Sequence, residues 1–94
     1  MSIHEGHRKR LKKEFLEGGT QAWPDHKLLE LVLCFAIPQG DVNPLAHELI
    51  DRFGSLAGVL DAKPEELTAT KGVGEHAGVL LKLFVEVGRR YESQ

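Results

Sequence analysis

Apolar residues recur along this chain at helical spacing, and no segment sustains the apolar/polar alternation of a half-buried strand. Leu11 and Phe15 stand i,i+4 on one face of a first helix, with Arg8, Lys9, Lys12 and Lys13 on the rest of its surface. Ser2 and Glu5, three apart, form a capping box at its start, and Gly18-Gly19 stops it. Trp23-Pro24-Asp25 is a turn in which Asp25 serves as N-cap for "HKLLELVLCFAI". That second helix is apolar on most sides, which predicts a central place in the core. "PQGDVNP" breaks the chain. Asn43 as N-cap with Pro44 at the first helical position then opens a helix stacking Leu45, Leu49 and Phe53 at i,i+4. Gly54 ends it, and Ser55 caps a short "LAGVLDA" helix. Pro64, Glu65 and Glu66 begin another short one, with acids suited to the positive end of its dipole. A last helix runs from about Glu75 to Tyr91. The expectation is an all-α fold of five to six short helices with no sheet.

The two halves echo each other. At an offset of 32 residues Gly40 falls on Gly72, Ala46 on Gly78 and Leu49 on Leu81. "GDVNPLAHELI" thus reads as a degenerate copy of "GVGEHAGVLLK". Gly78 costs about 1 kcal/mol against alanine inside a helix, which close helix–helix packing explains. The chain then divides into a basic N-terminal helix (1–20), a first, degenerate pair of helices joined by a glycine hairpin (25–53), and a connecting helix with a second such hairpin pair (55–91), all within one helical domain, 1–94.

Composition narrows the function. The 94 residues are 41% apolar and 28% charged, enough for a core and too rich in apolar side chains for disorder. Net charge is −2, which weighs against a dedicated nucleic-acid binder, yet "RKRLKK" at 8–13 places five positive charges in six positions. The lone cysteine, Cys34, has no disulfide partner and sits in an apolar run, so a buried inert thiol in an intracellular, cytoplasmic chain is expected. The longest strictly apolar run, 31–37, is far short of the ~20 residues of a membrane span, so no membrane association is expected.

Gly72-Val73-Gly74 carries the candidate chemistry. Glycines reverse the chain without a Cβ clash, Val73 can anchor under the turn, and backbone N–H groups are left at the start of the last helix. Such donors suit phosphate oxygens without reading bases. Lys71 adds a charge; Lys82, two turns on, is distant. Arg8, Lys9, Lys12 and Lys13, with Arg89 and Arg90, would extend a positive patch if they lie beside the turn. Glu75 beside the turn and Asp41 beside Gly40 oppose phosphate, so a turn that only joins two helices remains the alternative. Carbonyls of Lys71 and Val73 offer a monovalent-cation site; no other cofactor is expected. No nucleophile stands with a neighbouring base, and His4-x-x-His7 is too few ligands for a closed metal site, so no enzyme activity is expected.

Gly-hydrophobic-Gly between amphipathic helices resembles the helix-hairpin-helix motif, and the pair resembles a double helix-hairpin-helix (SAM-like) bundle. "GHRKRLKKEFL" (6–16), "DHKLLELVL" (25–33), "AIPQGDVNPLAHELIDRFGSL" (36–56) and "KGVGEHAGVLLKL" (71–83) together resemble the N-terminal region of the RadC family. The resemblance covers nearly the whole chain. It implies weak, sequence-independent DNA contact at Lys71, Gly72, Val73 and Gly74, in proteins named for DNA repair. It also implies a following JAB1/MPN-type domain with a metalloprotease-like zinc signature. That signature needs a His-x-His pair, which His4, His7, His26, His47 and His76 do not form. The chain therefore reads as a truncated form or a lone N-terminal domain. A protein-interaction or dimerisation module, built on an exposed apolar helix stripe, is the rival function. The resemblance assigns no chemistry to "GHR" or "DVNPLAH", whose "DVNP" polar residues capping alone would explain.

Overall fold

In the computed structural model residues 3–94 are described; the proposed Ser2–Glu5 capping box lies partly outside them. Six α-helices follow one another: α1 (Ile3–Glu17), α2 (Asp25–Ala36), α3 (Asn43–Phe53), α4 (Leu56–Asp61), α5 (Pro64–Thr68) and α6 (Glu75–Ser93). A 3-10 turn, Thr20–Ala22, joins α1 to α2. The described residues contain no strand, so the all-α expectation holds.

α2 is the centre. Leu29 and Leu33 are fully buried, Leu31 and Cys34 nearly so, and the helix packs on α1, α3, α4 and α6. From the other elements Leu11, Ala46, Leu49, Val59, Leu67, Ala77 and Leu81 close the core. Each leucine or valine among them contributes ~1.5–3 kcal/mol when removed from water. The cover is uneven. Leu11 is buried, but Phe15 one turn on is 46% exposed, touching Trp23 with ring centroids 6.4 Å apart. α1 packs on α2 alone among the major helix contacts, so only a narrow strip of it is hidden. Phe35, inside the apolar run of α2, is also exposed, with the Lys12 ammonium 5.1 Å from its ring centroid.

Helix ends show where side-chain caps were misplaced by a residue or two. Asp25 is the first helical residue of α2, and the preceding position is Pro24, without a side-chain cap. Asn43 likewise opens α3 from within. Its N–H donates to Asp41 Oδ1 at 3.0 Å, so Asp41 does the capping. Ser55 behaves as expected: its Oγ accepts the Gly58 N–H at 2.9 Å. Gly54, at φ 90°, turns the chain out of α3. Gly78 lets α5 and α6 approach, since a Cβ there would lie 3.2 Å from Thr68 Cγ2. This is the close packing its helix penalty foretold.

Candidate functional site

The Gly72 turn links α5 to α6. Gly72 has φ 96°, a left-handed conformation that glycine adopts without penalty. The Val73 N–H donates to the Thr70 carbonyl at 3.0 Å and closes the turn. Val73 itself is 4% exposed, anchored in the core. Gly74 is ordinary extended backbone at φ −86°, ψ −173°, and precedes α6 without a side-chain cap. The α6 ladder begins with Gly78 N–H donating to Gly74 O at 3.0 Å. Earlier amides of a helix have no intrahelical acceptor, and here Gly74, Glu75 and His76 are exposed residues. The turn therefore offers main-chain donors at the positive end of a 19-residue helix.

Gly40, at φ 90°, bends the α2–α3 connection in the same way. Gly40 and Gly72 line one shallow depression of about 380 Å³, so the two turns are neighbours. The other echoed pairs also agree: Ala46 and Gly78 are buried, as are Leu49 and Leu81. The anchor differs, because the first turn buries Val42, two residues past its glycine, whereas the second buries Val73, one past. Lys71 is the cation lining the depression; Asp41 and Glu48 are its anions.

The basic stretch of α1 divides. Arg8 is engaged with the protein itself: its guanidinium donates to the carbonyls of Cys34 (2.9 Å), Ile37 (2.6 Å) and Gly40 (2.9 Å). The last carbonyls of a helix lack intrahelical donors and carry the negative end of its dipole, so a cation fits there. Arg8 thus stoppers α2 and holds the first turn in place. Lys12 lies over Phe35, while Lys9 and Lys13 are exposed. Of the four, the structure ties only Arg8 to a turn. Arg89 and Arg90 both pair with Glu86, roughly 22 Å along α6 from the turn, and do not join its surface. Lys82 donates to the Leu60 and Ala62 carbonyls at 2.6 and 3.0 Å and caps α4.

Sequence reasoning missed Glu30, a lone acid in an apolar run. It is 3% exposed and fully partnered: Oε2 meets His7 Nε2 at 2.8 Å, and Oε1 accepts from Asn43 Nδ2 at 3.0 Å. "GHR" and "DVNPLAH" therefore meet around one carboxylate, and capping alone does not explain "DVNP". His47 from the same block stacks on His26, centroids 3.9 Å apart. The only available sequence signal was a charged residue where periodicity demanded an apolar one.

Cys34 is buried beside this network, and desolvation pushes its thiol pKa up despite the nearby Arg8. Less thiolate at a given pH means slower chemistry. Ellman's reagent at pH 8 should modify native Cys34 at least about tenfold more slowly than in denaturant. Equal rates would contradict the packing around α2.

Among the described residues no three of His, Cys, Asp and Glu gather as a metal-binding group, and no helix is long and apolar enough to cross a membrane. No family model and no solved structure matches the chain. Curated relatives do. A protein of Ruegeria pomeroyi named UPF0758 is 52% identical over 78 residues, covering 83% of this chain and 35% of its own length. A UPF0758 protein of Rhodobacter capsulatus is 48% identical over 80 residues, covering 85% of this chain and 37% of its own. One from Fusobacterium nucleatum is 34% identical over 84 residues, covering 89% and 36%. The chain spans about a third of the length of these relatives. With the quoted blocks folded into one helical core and this identity across most of the sequence, the chain belongs to the RadC-like UPF0758 family.

Proposed function

We propose that this chain is a non-enzymatic DNA-binding accessory module, contacting phosphates through backbone amides at the Gly72–Gly74 turn, with Lys71 adding a charge. One observation carries the reading. Val73 is buried under a left-handed Gly72, while Gly74, Glu75 and His76 stay exposed at the head of a long helix. The Gly40 turn lies beside the Gly72 turn, which supports reading α2–α3 and α5–α6 as paired helix-hairpin-helix units. Contacts of this type are sequence-independent. Asp41, Glu48 and Glu75 around the turns keep them weak, with dissociation constants on the order of 10⁻⁴ to 10⁻⁶ M that rise with salt. A module this weak assists a larger protein. The resemblance supplies that setting, a JAB1/MPN-type domain in the longer family chains acting on DNA in the cytoplasm.

Anisotropy titration of labelled duplex and branched DNA at low salt tests this. Lys71→Glu and Gly74→Leu should each weaken binding at least about threefold, the scale of one lost phosphate contact. Gly74 is the informative glycine. A Cβ there meets nothing within 4 Å and its φ suits any residue, so the variant keeps its fold while covering the amides. Absence of binding at high micromolar protein would end the DNA reading.

A second reading, a protein-interaction module, is favoured by a different observation. Val79, Leu83, Val87 and Tyr91 form an exposed apolar row on α6.

A further inference from the structure

Between α1, α2, α4 and α6 lies a cleft of about 300 Å³ in which every lining side chain is apolar. Leu29, Leu31 and Leu81 are buried and floor it. Its rim carries one phenylalanine from each of three helices: Phe15 of α1, Phe35 of α2 and Phe84 of α6, exposed by 46%, 68% and 47%. Exposed rings gathered around a buried apolar floor differ from surface hydrophobics scattered singly, and such a patch marks a binding site. Size and chemistry select what fills it. The volume is at the lower end of small-molecule sites. It is too small for a helix, about 10–12 Å across with its side chains. Nothing in the lining can hydrogen-bond, so a nucleobase or a sugar would enter with its polar groups unpaired. An alkyl chain enters without that cost.

Charge at the rim selects the head group. The Lys12 ammonium lies 5.1 Å from the centroid of the Phe35 ring. Of the acids on α1, Glu14 is held by Lys27 at 2.8 Å, while Glu5 stands about two turns before Lys12 and Glu17 more than one turn after it. Asp25, in the first turn of α2, is about 15 Å along that helix from Phe35. Asp61 ends α4, where Lys82 donates to the Leu60 and Ala62 carbonyls. On α6 the row of Phe84 continues through Gly88 to Glu92, about 12 Å on. The Phe35 end of the cleft is therefore its cationic end. We propose that the cleft binds a fatty acid, with its carboxylate at Lys12 beside Phe35 and its alkyl chain over Leu29, Leu31 and Leu81. The cleft shares no lining residue with the depression at the Gly40 and Gly72 turns, so this site is independent of the DNA reading.

Titration with octanoate, nonanoate and decanoate, each kept below its micelle-forming concentration, tests it. Trp23, the sole tryptophan, touches Phe15 and reports occupancy by its fluorescence. The response should saturate, and each added methylene should tighten binding about fourfold, the fold-change for burying one such group. Phe35→Ser and Phe84→Ser, both at half-exposed rim positions, should each weaken decanoate at least about fivefold with helical circular dichroism unchanged. Octanoate should bind at least about threefold more tightly than octanol, and Lys12→Gln should erase that preference. The absence of a saturable response at millimolar decanoate overturns the proposal, and so do rim variants that bind as the wild type does. Equal binding of decyltrimethylammonium overturns it as well, because the head group is then unread. A response to phosphatidylglycerol vesicles with none to decanoate replaces the free fatty acid with a membrane surface. DNA affinity should be the same in Phe84→Ser as in the wild type, so the failure of either site leaves the other standing.

Discussion

Gly58→Ala should lower stability by about 3–5 kcal/mol, among the largest effects of any single methyl in this chain. Helix propensity alone gives the opposite sign, since alanine gains about 1 kcal/mol over glycine within a helix. Geometry decides. Gly54 turns the chain sharply between α3 and α4, and Ser55 Oγ takes the Gly58 N–H at 2.9 Å. That fold-back presses Gly58 beneath the end of α3. A Cβ built there would lie 2.0 Å from the Phe53 carbonyl oxygen and 3.0 Å from its carbon. The obstacle is backbone, so no rotamer change relieves it. Either α4 shifts as a body or the corner opens, and α4 carries the fully buried Val59. In urea the midpoint should fall with the slope unchanged, and the melting temperature should drop by more than about 12 °C. Gly88→Ala is the control: this α6 glycine has nothing within 4 Å of its absent Cβ, so the helix-propensity gain should appear there. A Gly58→Ala variant as stable as the wild type would mean that α4 does not press against the end of α3.

Gly58 also shows what one sequence can and cannot disclose. Periodicity placed the longer helices, because i,i+4 rows such as Leu45 and Leu49 record a helix and its inner face together, while Ser55 and Pro64 as end signals placed the two short ones. The same local logic anticipated Val73 under its turn and the tight approach at Gly78. Caps were legible only to within a residue or two: Asp25 and Asn43 lie inside their helices, and Asp41 caps from a loop position. Hidden altogether were partnerships between elements far apart in the chain. Nothing local distinguishes Gly58, which meets a carbonyl, from Gly88, which meets nothing. Nothing local separates Arg8 from Lys9 either, although one is sequestered by three carbonyls and the other is exposed. Exposure of Phe15 and Phe35 was equally invisible, because a row of apolar residues announces a face without saying whether anything covers it.

Arg8→Ala is expected to cost about 1.5–3 kcal/mol, the scale of hydrogen bonds to a charged group, here two part-buried and one exposed. The carbonyls of Cys34, Ile37 and Gly40 point to one guanidinium from the end of α2 and the first turn. Its planar fork serves them together, and both nitrogens of the fork are used. Arg8→Lys keeps the charge but offers a single ammonium on a flexible stem, so it should recover less than half of the loss. Lys9→Ala and Lys13→Ala, exposed on the same helix, should stay within about 0.5 kcal/mol of wild type. Urea midpoints for the four variants give the stability ranking. DNA titrations across a salt series then separate the two roles that a basic residue in "RKRLKK" can have. A phosphate contact contributes close to one unit to the slope of log K against log salt. Arg8→Lys should leave that slope unchanged at temperatures where the chain is folded, whereas Lys71→Glu should reduce it. An Arg8→Ala variant with native stability and a reduced slope would reverse the assignment, freeing the guanidinium for DNA and leaving the Gly40 turn to be held by Asp41 and Asn43 alone.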